Sequence, residues 1–420
     1  MSDENEFYDQ AETDLVDREL GIVEAIGVHE ELVDAVESGL NKTWSFETLA
    51  IQAELEKEET IDPEKLWIDA TLKSSFYDVE QEPEDILEGL NLTAESFRER
   101  AKSLLTTVLE FLGRILKSAL AILRQCADFF VGIEAKAKRI RYWAENSRYK
   151  KVPEKAAIEL GRSANKLLVG MVPVKDGSQL ISALKEHQLF LQQIKAYVNH
   201  SVQIGGRLTD VVGQFDLKNP EASIERILSV YKEVNRGVAE KICSKQIKDN
   251  RFFVNKAGML KTSVPLLGGK QFYLAVNSGG ANVSEELRNA IRTKFIYQFS
   301  SSNRPAFTEA AFKPMSAEEI ISAMDLVLEL SAAAKSLVEE DIEKKLELIN
   351  KQMTASSKKA LSYFDEQSQR EQRAVTELMV DTVKAFSIQS STPILNYVSA
   401  LSSTLRAVTT VGKGSLSLLR

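Results

Sequence analysis

The sequence predicts a mainly α protein, an elongated helical bundle with one small antiparallel β element around residues 250–312. Three observations predict it. The 420 residues include only 9 prolines and 20 glycines, below the roughly 5% and 7% of an ordinary soluble protein, so few positions break a helix. Apolar residues step by three and four over long stretches, the period of a helix with one buried face. Residues that cap helices stand where those stretches begin. With 44% hydrophobic and 27% charged residues, the composition excludes a disordered tail or a fibrous repeat, and the length allows two or three domains.

The first 95 residues form an acidic segment. Leu15, Leu20, Val23, Ile26, Val33, Val36 and Leu40 recur at loosely helical spacing with acids between them. From Glu54 to Glu88 the acids thicken and Pro63 and Pro83 interrupt, which reads as loop with short helices. Thr93 is placed to cap a long amphipathic helix whose apolar side carries Leu105, Val108, Leu109, Leu112, Leu116, Leu120 and Leu123. No apolar run reaches the 18 or so residues of a membrane span, so this helix packs on the protein's own core or lies on a membrane surface.

Residues 96–250 read as a basic helical domain. Within it Lys136, Lys138, Arg139, Arg141, Arg148, Lys150 and Lys151 are opposed only by Glu145, with Tyr142, Trp143 and Tyr149 interleaved. Cations release counterions from phosphates and flat rings stack on bases, so the mixture suits nucleic acid. It also suits an anionic membrane interface or a plain solvated face. Ser178 is expected to cap a helix to about Val202 that Gly205-Gly206 ends, and Asn219-Pro220-Glu221 to open another to about Lys245.

Residues 251–315 form a β-containing insert. Arg251–Val254, Ser263–Leu267, Gln271–Val276 and Lys294–Phe299 are rich in aromatic and β-branched residues, and Gly268-Gly269 reads as a hairpin turn. A short helix from Ser284 interrupts them. Residues 316–420 form a region of long helices opened by the capping box Ser316-Ala317-Glu318-Glu319. These helices are expected to run to Met353, from Ser356 to about Ile388, and from Thr392-Pro393 onward, with a Ser/Thr-rich cationic tail.

Charge divides the chain unevenly. Residues 1–90 hold 27 acids and 5 bases, a net of −22, and the other 34 acids and 48 bases give 91–420 a net of +14. The basic piece favours a polyanionic partner unless the two halves simply dock on each other. The acidic start, Met1–Glu6, lacks the basic patch and apolar run of a secretory signal, so export is not expected.

Catalytic chemistry finds no foothold. Cys126 and Cys243 stand 117 positions apart in apolar helical patterns and read as buried thiols, not as a disulfide or metal pair. There is no phosphate-binding Gly-rich loop with Lys and Ser/Thr at its end, no nucleophile elbow and no calcium loop. His29, His187 and His200 are too dispersed for a His-centred site. No catalytic residue, metal or cofactor is therefore expected. An enzyme of unrecognised type has no motif in its favour.

The layout is similar to a known group. An acidic leader, then Leu92-Thr93-Ala94-Glu95-Ser96 running into Leu104–Leu112, then a basic helical body, resembles the internal head proteins of large tailed bacteriophages of T-even-like and jumbo type. Ser263–Lys270 with Phe272–Val276, and Pro314–Ile320 before a long helix, resemble the same group, so the likeness spans about residues 90–350. It implies a non-enzymatic virion protein made in the host cytoplasm and packaged in the capsid interior beside other virion or capsid proteins. It also implies an acidic propeptide removed by a prohead protease, and a body that stays with the double-stranded DNA or is ejected with it. Such proteases cut after Glu with a small or aliphatic residue two positions earlier. Glu37, Glu47 and Glu88 fit, as do Glu159 and Glu225 inside the body, while Glu95 has the best position by layout but departs from the pattern. The residues expected to meet DNA, without sequence preference, are Lys136, Lys138, Arg139, Arg141, Trp143, Arg148, Lys150 and Lys151. The alternative is a membrane-active protein, ejected with the genome, that lays the 100–145 helix on the host envelope.

Overall fold

Apolar residues at steps of three and four become helices whose buried stripes meet in one core. The computed structural model describes residues 94–153, 156–216, 218–247, 258–277, 279–299, 311–366 and 370–419. Thr93, Glu37, Glu47, Glu88 and the expected strand Arg251–Val254 lie outside the described residues. Helix α1 (Ala94–Glu145) is 52 residues long, and Glu95 sits in its first turn. From Ala119 onward its buried side carries Ile122, Leu123, Cys126, Phe129, Phe130, Ile133, Ala137, Ile140 and Ala144, one stripe at helical period.

A 3₁₀ turn (Gly161–Lys166) and two short strands, β2 (Leu168–Val169) and β3 (Val172–Pro173), lead to α2 (Gly177–Gly213). The cap of α2 is Asp176, not the expected Ser178. Asp176 has extended backbone and its carboxylate accepts the Gln179 amide at 2.9 Å, which satisfies a donor that the first turn leaves unpaired. Nor does Gly205-Gly206 end the helix. A Cβ on Gly205 would lie 2.8 Å from Gln352 Oε1, and one on Gly206 3.3 Å from Gln352 Nε2. The glycines thus let the Gln352 side chain close on α2, and packing outweighs a propensity cost of about 1 kcal/mol per glycine. Helix α3 (Pro220–Lys241) starts as expected, with Asn219 as cap and Pro220 in the first turn.

The β element is a four-stranded antiparallel sheet in the order β4 (Lys245–Ile247), β5 (Gly258–Thr262), β6 (Lys270–Asn277), β7 (Lys294–Phe299), with α4 (Val283–Ile291) between the last two strands. Thr262 pairs with Tyr273 and Phe272 with Tyr297. The strand before the glycine turn is Gly258–Thr262, not Ser263–Leu267. Pro265 has no amide for a ladder, and Ser263–Leu267 instead connects β5 to the turn, where Gly268 and Gly269 have φ of 102° and 72°. Both glycine amides donate to the Leu168 carbonyl at 2.9 Å. The sheet also begins at Lys245, inside the stretch expected to end α3. Phe272 stacks with Phe190 of α2 and with Phe295, and meets Tyr297 at a tilt, with centroids 4.5 Å apart.

Strand β1 (Ile158–Glu159) pairs with β8 (Ala311–Phe312) and so joins distant parts of the chain. Ser316 and Glu319 complete the expected capping box at the start of α5 (Ala317–Ser336). A π turn (Leu337–Ile342) leads into α6 (Glu343–Glu366), and α7 (Arg370–Ser417) closes the fold. The expected breaks at 353–356 and 388–392 are absent, and α7 runs straight through Pro393. Proline has no N–H, which leaves the Gln389 carbonyl, four residues back, without a helical donor. The Tyr197 hydroxyl of α2 donates to that carbonyl at 2.9 Å. The Gln389 side chain is held as well: its Oε1 accepts from Tyr231 at 2.9 Å and its Nε2 donates to Asn235 at 3.0 Å. The Ser/Thr-rich C-terminal stretch is therefore a largely buried helix and not a tail. Thr382, Ser387, Ser390 and Ser391 return their hydroxyls to carbonyls one turn back, at 2.7–3.0 Å. Helix α1 packs against α5 and α7, and α2 against α3, α5 and α6.

Candidate nucleic-acid interface

The last turns of α1 are anchored on one side and charged on the other. Ala137, Ile140 and Ala144 are buried, which fixes the helix and turns Lys138, Arg139, Tyr142 and Trp143 outward. Beyond Glu145 the chain turns, with the Asn146 side chain donating to the Tyr142 carbonyl at 3.0 Å and the Lys150 amide to the Ser147 carbonyl at 2.9 Å. That turn presents Arg148, Tyr149, Lys150 and Lys151, all exposed. Tyr142 is 59% exposed, Trp143 49% and Tyr149 100%. The first two rings meet edge to face at 5.6 Å.

The cations differ in their commitments. Arg141 is half-buried and bonded to Asp325 of α5 and, at 2.9 Å, to Glu145. The hydrogen bond it donates to Asp325 is the main cause that raises its pKa further. Arg141 thus ties α1 to α5. Lys138 stands 3.9 Å from Glu134, Arg139 is exposed, and Lys136 is half-buried. Three further lysines, none of them among the residues expected to meet DNA, join this end. The Lys313 amide donates to the Lys175 carbonyl at 2.8 Å, and both side chains are exposed. Lys413, also exposed, follows Gly412, where a Cβ would stand 3.5 Å from the Ile140 side chain and 2.9 Å from Met324. Only folding brings these positions together. Of the three, Lys413 had a sequence signal, the absence of any acid after Asp381.

The remaining reactive groups serve the core. His187 is buried, with Nε2 3.0 Å from the Leu267 carbonyl and Nδ1 3.2 Å from the Tyr397 hydroxyl. Burial pushes its pKa down to about 4, so the neutral ring donates through Nε2 and accepts the tyrosine proton through Nδ1. His200 is half-buried with Nε2 3.4 Å from the Glu233 carbonyl, and His29 lies outside the described residues. Cys126 and Cys243 are both buried free thiols, and burial pushes the first up to about 12, which withholds the reactive thiolate. Among the described residues no three or more His, Cys, Asp or Glu are grouped to hold a metal. Among them, too, no helix is long and apolar enough to cross a membrane. From Ala119 to Ala144 the apolar face of α1 is covered by other helices and is not presented to a bilayer in this fold.

These features define a mainly helical protein with a cationic, aromatic end and, among the described residues, histidines and thiols devoted to packing. Residues 9–413 match the family model of phiKZ-like phage internal head proteins. With nearly the whole chain matched, the protein belongs to that family, and it is a packaged structural component of the phage head, inside the capsid. Neither a curated protein nor a solved structure matches the chain.

Proposed function

We propose that the protein binds packaged double-stranded DNA, without sequence preference, through the cationic end formed by α1 and the turn after it. The reading extends to an acidic N-terminal segment removed by a prohead protease, after Glu37, Glu47, Glu88 or Glu95, as the head matures. The observation that carries it is the exposure of Lys138, Arg139, Arg148, Lys150 and Lys151 at one end of a body with net charge +14, beside a leader of −22. Phosphate neutralisation needs surface cations and no base-specific geometry. A −22 leader would keep that surface from DNA during assembly, and its loss would release it. Lys136 lies on the same turns, whereas Arg141 supports the surface by fixing α1 to α5.

Duplex retention measured at several salt concentrations tests this reading, with full-length protein and residues 96–420 side by side. The truncated body should bind more tightly, and its affinity should fall steeply with salt. Replacing Lys138, Arg148, Lys150 and Lys151 by Gln should weaken all sequences alike and flatten the salt dependence by about 0.9 log units per lost phosphate contact. A body that retains no DNA at low salt refutes the reading, and retention of anionic liposomes instead would favour the membrane surface as partner.

A further inference from the structure

The exposed rings at the cationic end have no counterpart in duplex DNA. Phosphates satisfy the lysines and arginines, but stacked base pairs offer no face to Tyr142, Trp143 and Tyr149. A segment carrying both acids and apolar side chains satisfies both halves of the surface. Residues 15–40 are such a segment: seven Asp or Glu against one Arg, with Leu20, Val23, Ile26, Val33, Val36 and Leu40 at helical spacing.

Reach excludes the acids nearest α1, and residues 54–73, which could also reach, are interrupted by Pro63 and carry three lysines, which leaves residues 15–40. The leader joins the body at Ala94, the first residue of α1, and Tyr142 lies 48 residues further along the same helix. At about 1.5 Å per residue that is about 72 Å. An extended chain covers at most about 3.6 Å per residue, so the 20 or so residues before Ala94, including the acids around Glu88, fall short of the basic end. Residues 41–93 can reach about 190 Å, so residues 15–40 can fold back along α1 and arrive there.

We propose that residues 15–40 dock on the Tyr142, Trp143 and Tyr149 surface of the same molecule, with their acids against Lys138, Arg148, Lys150 and Lys151. This deepens the DNA-binding reading by naming what covers the site before maturation, and it rests on that reading only in that the same cations serve both. Every proposed cleavage position, Glu37 included, leaves Leu20 to Val36 on the released side.

Trp143 reports on the contact directly, since the other two tryptophans, Trp44 and Trp67, lie in the leader. The full chain carrying W44F and W67F has Trp143 as its single indole, and acrylamide quenching is measured without DNA. Docking predicts quenching several-fold weaker than in the same chain with V23E, I26E, V33E and V36E added, at unchanged helical circular dichroism. The four glutamates make the leader more acidic, so a merely diffuse attraction would keep or increase protection, and that result overturns the proposal. So does an unprotected Trp143 in the parent chain. Protection that disappears on dilution assigns the contact to another copy's leader and overturns it too. Loss of helical signal in the glutamate variant would make the segment part of the core, with the same consequence. None of these outcomes bears on whether the truncated body binds DNA.

Discussion

Replacing Tyr197 with Phe isolates one oxygen in the core. The ring stays, with its edge-to-face contact to Phe295 at 5.5 Å, and only the hydroxyl that donates to the Gln389 carbonyl is lost. Pro393 cannot supply a replacement, so a buried carbonyl is left without a donor. Such a loss costs about 1–3 kcal/mol. Unfolding entropy of roughly 2.1 cal/mol/K per residue, over roughly 330 residues, turns this into a fall of about 1.5–4 °C in the thermal midpoint. The decisive assay is a double-mutant cycle with P393A, read by calorimetry or circular dichroism. Alanine restores an N–H at position 393 within reach of the Gln389 carbonyl, so Y197F should cost less than half as much in that background. An unchanged midpoint in Y197F, or an equal cost with and without Pro393, would refute the idea that the tyrosine stands in for the missing amide.

Two further predictions concern the core. His187 is neutral in the folded protein down to about pH 4, whereas in the unfolded chain it takes up a proton near 6.5. Its contribution is therefore complete above pH 6.5 and is lost as pH falls toward 4, a difference of about 3 kcal/mol. Denaturant titrations of wild type and H187Q should diverge in slope across that window, and parallel curves would contradict the assignment. On α2, G205A should destabilise by about 1–3 kcal/mol by crowding Gln352 and Phe386. G213A, where a Cβ meets nothing within 4 Å, should stabilise by about 0.5–1 kcal/mol. Equal effects from the two alanines would show that propensity alone governs both sites.

Features written within a few neighbouring residues were legible in the sequence. Asn219 with Pro220, and Ser316 with Glu319, cap helices because each cap is completed within one turn. The apolar stripe of α1 and the Gly268-Gly269 turn are local in the same sense. Where local rules misled, a distant partner had altered the balance. Gly205-Gly206 stays helical because of Gln352, nearly 150 positions away, and Pro393 stays helical because of Tyr197. The candidate surface divides the same way. Its dense run from Lys136 to Lys151 is contiguous and visible, but Arg141's bond to Asp325 and the arrival of Lys175, Lys313 and Lys413 depend on strand pairing and helix packing across the whole body.

The packing of α1 against α7 has a consequence for synthesis. These are the first and last helices of the described fold, and the cover over α1 is complete only when α7 is in place. From Glu145 to Ser417, the end of α7, the ribosome has 272 residues still to add, which takes about 14–54 s at about 5–20 residues per second. Helix α5 can cover part of the apolar stripe once residues 317–336 are made, but the part that meets α7 stays uncovered to the end of that interval, and the closing contact spans most of the described residues. High contact order of this kind makes for slow folding and an aggregation-exposed nascent chain. A protein packaged inside the phage head thus carries a timing problem in its topology, because α1 must be kept from other copies until its own α7 arrives.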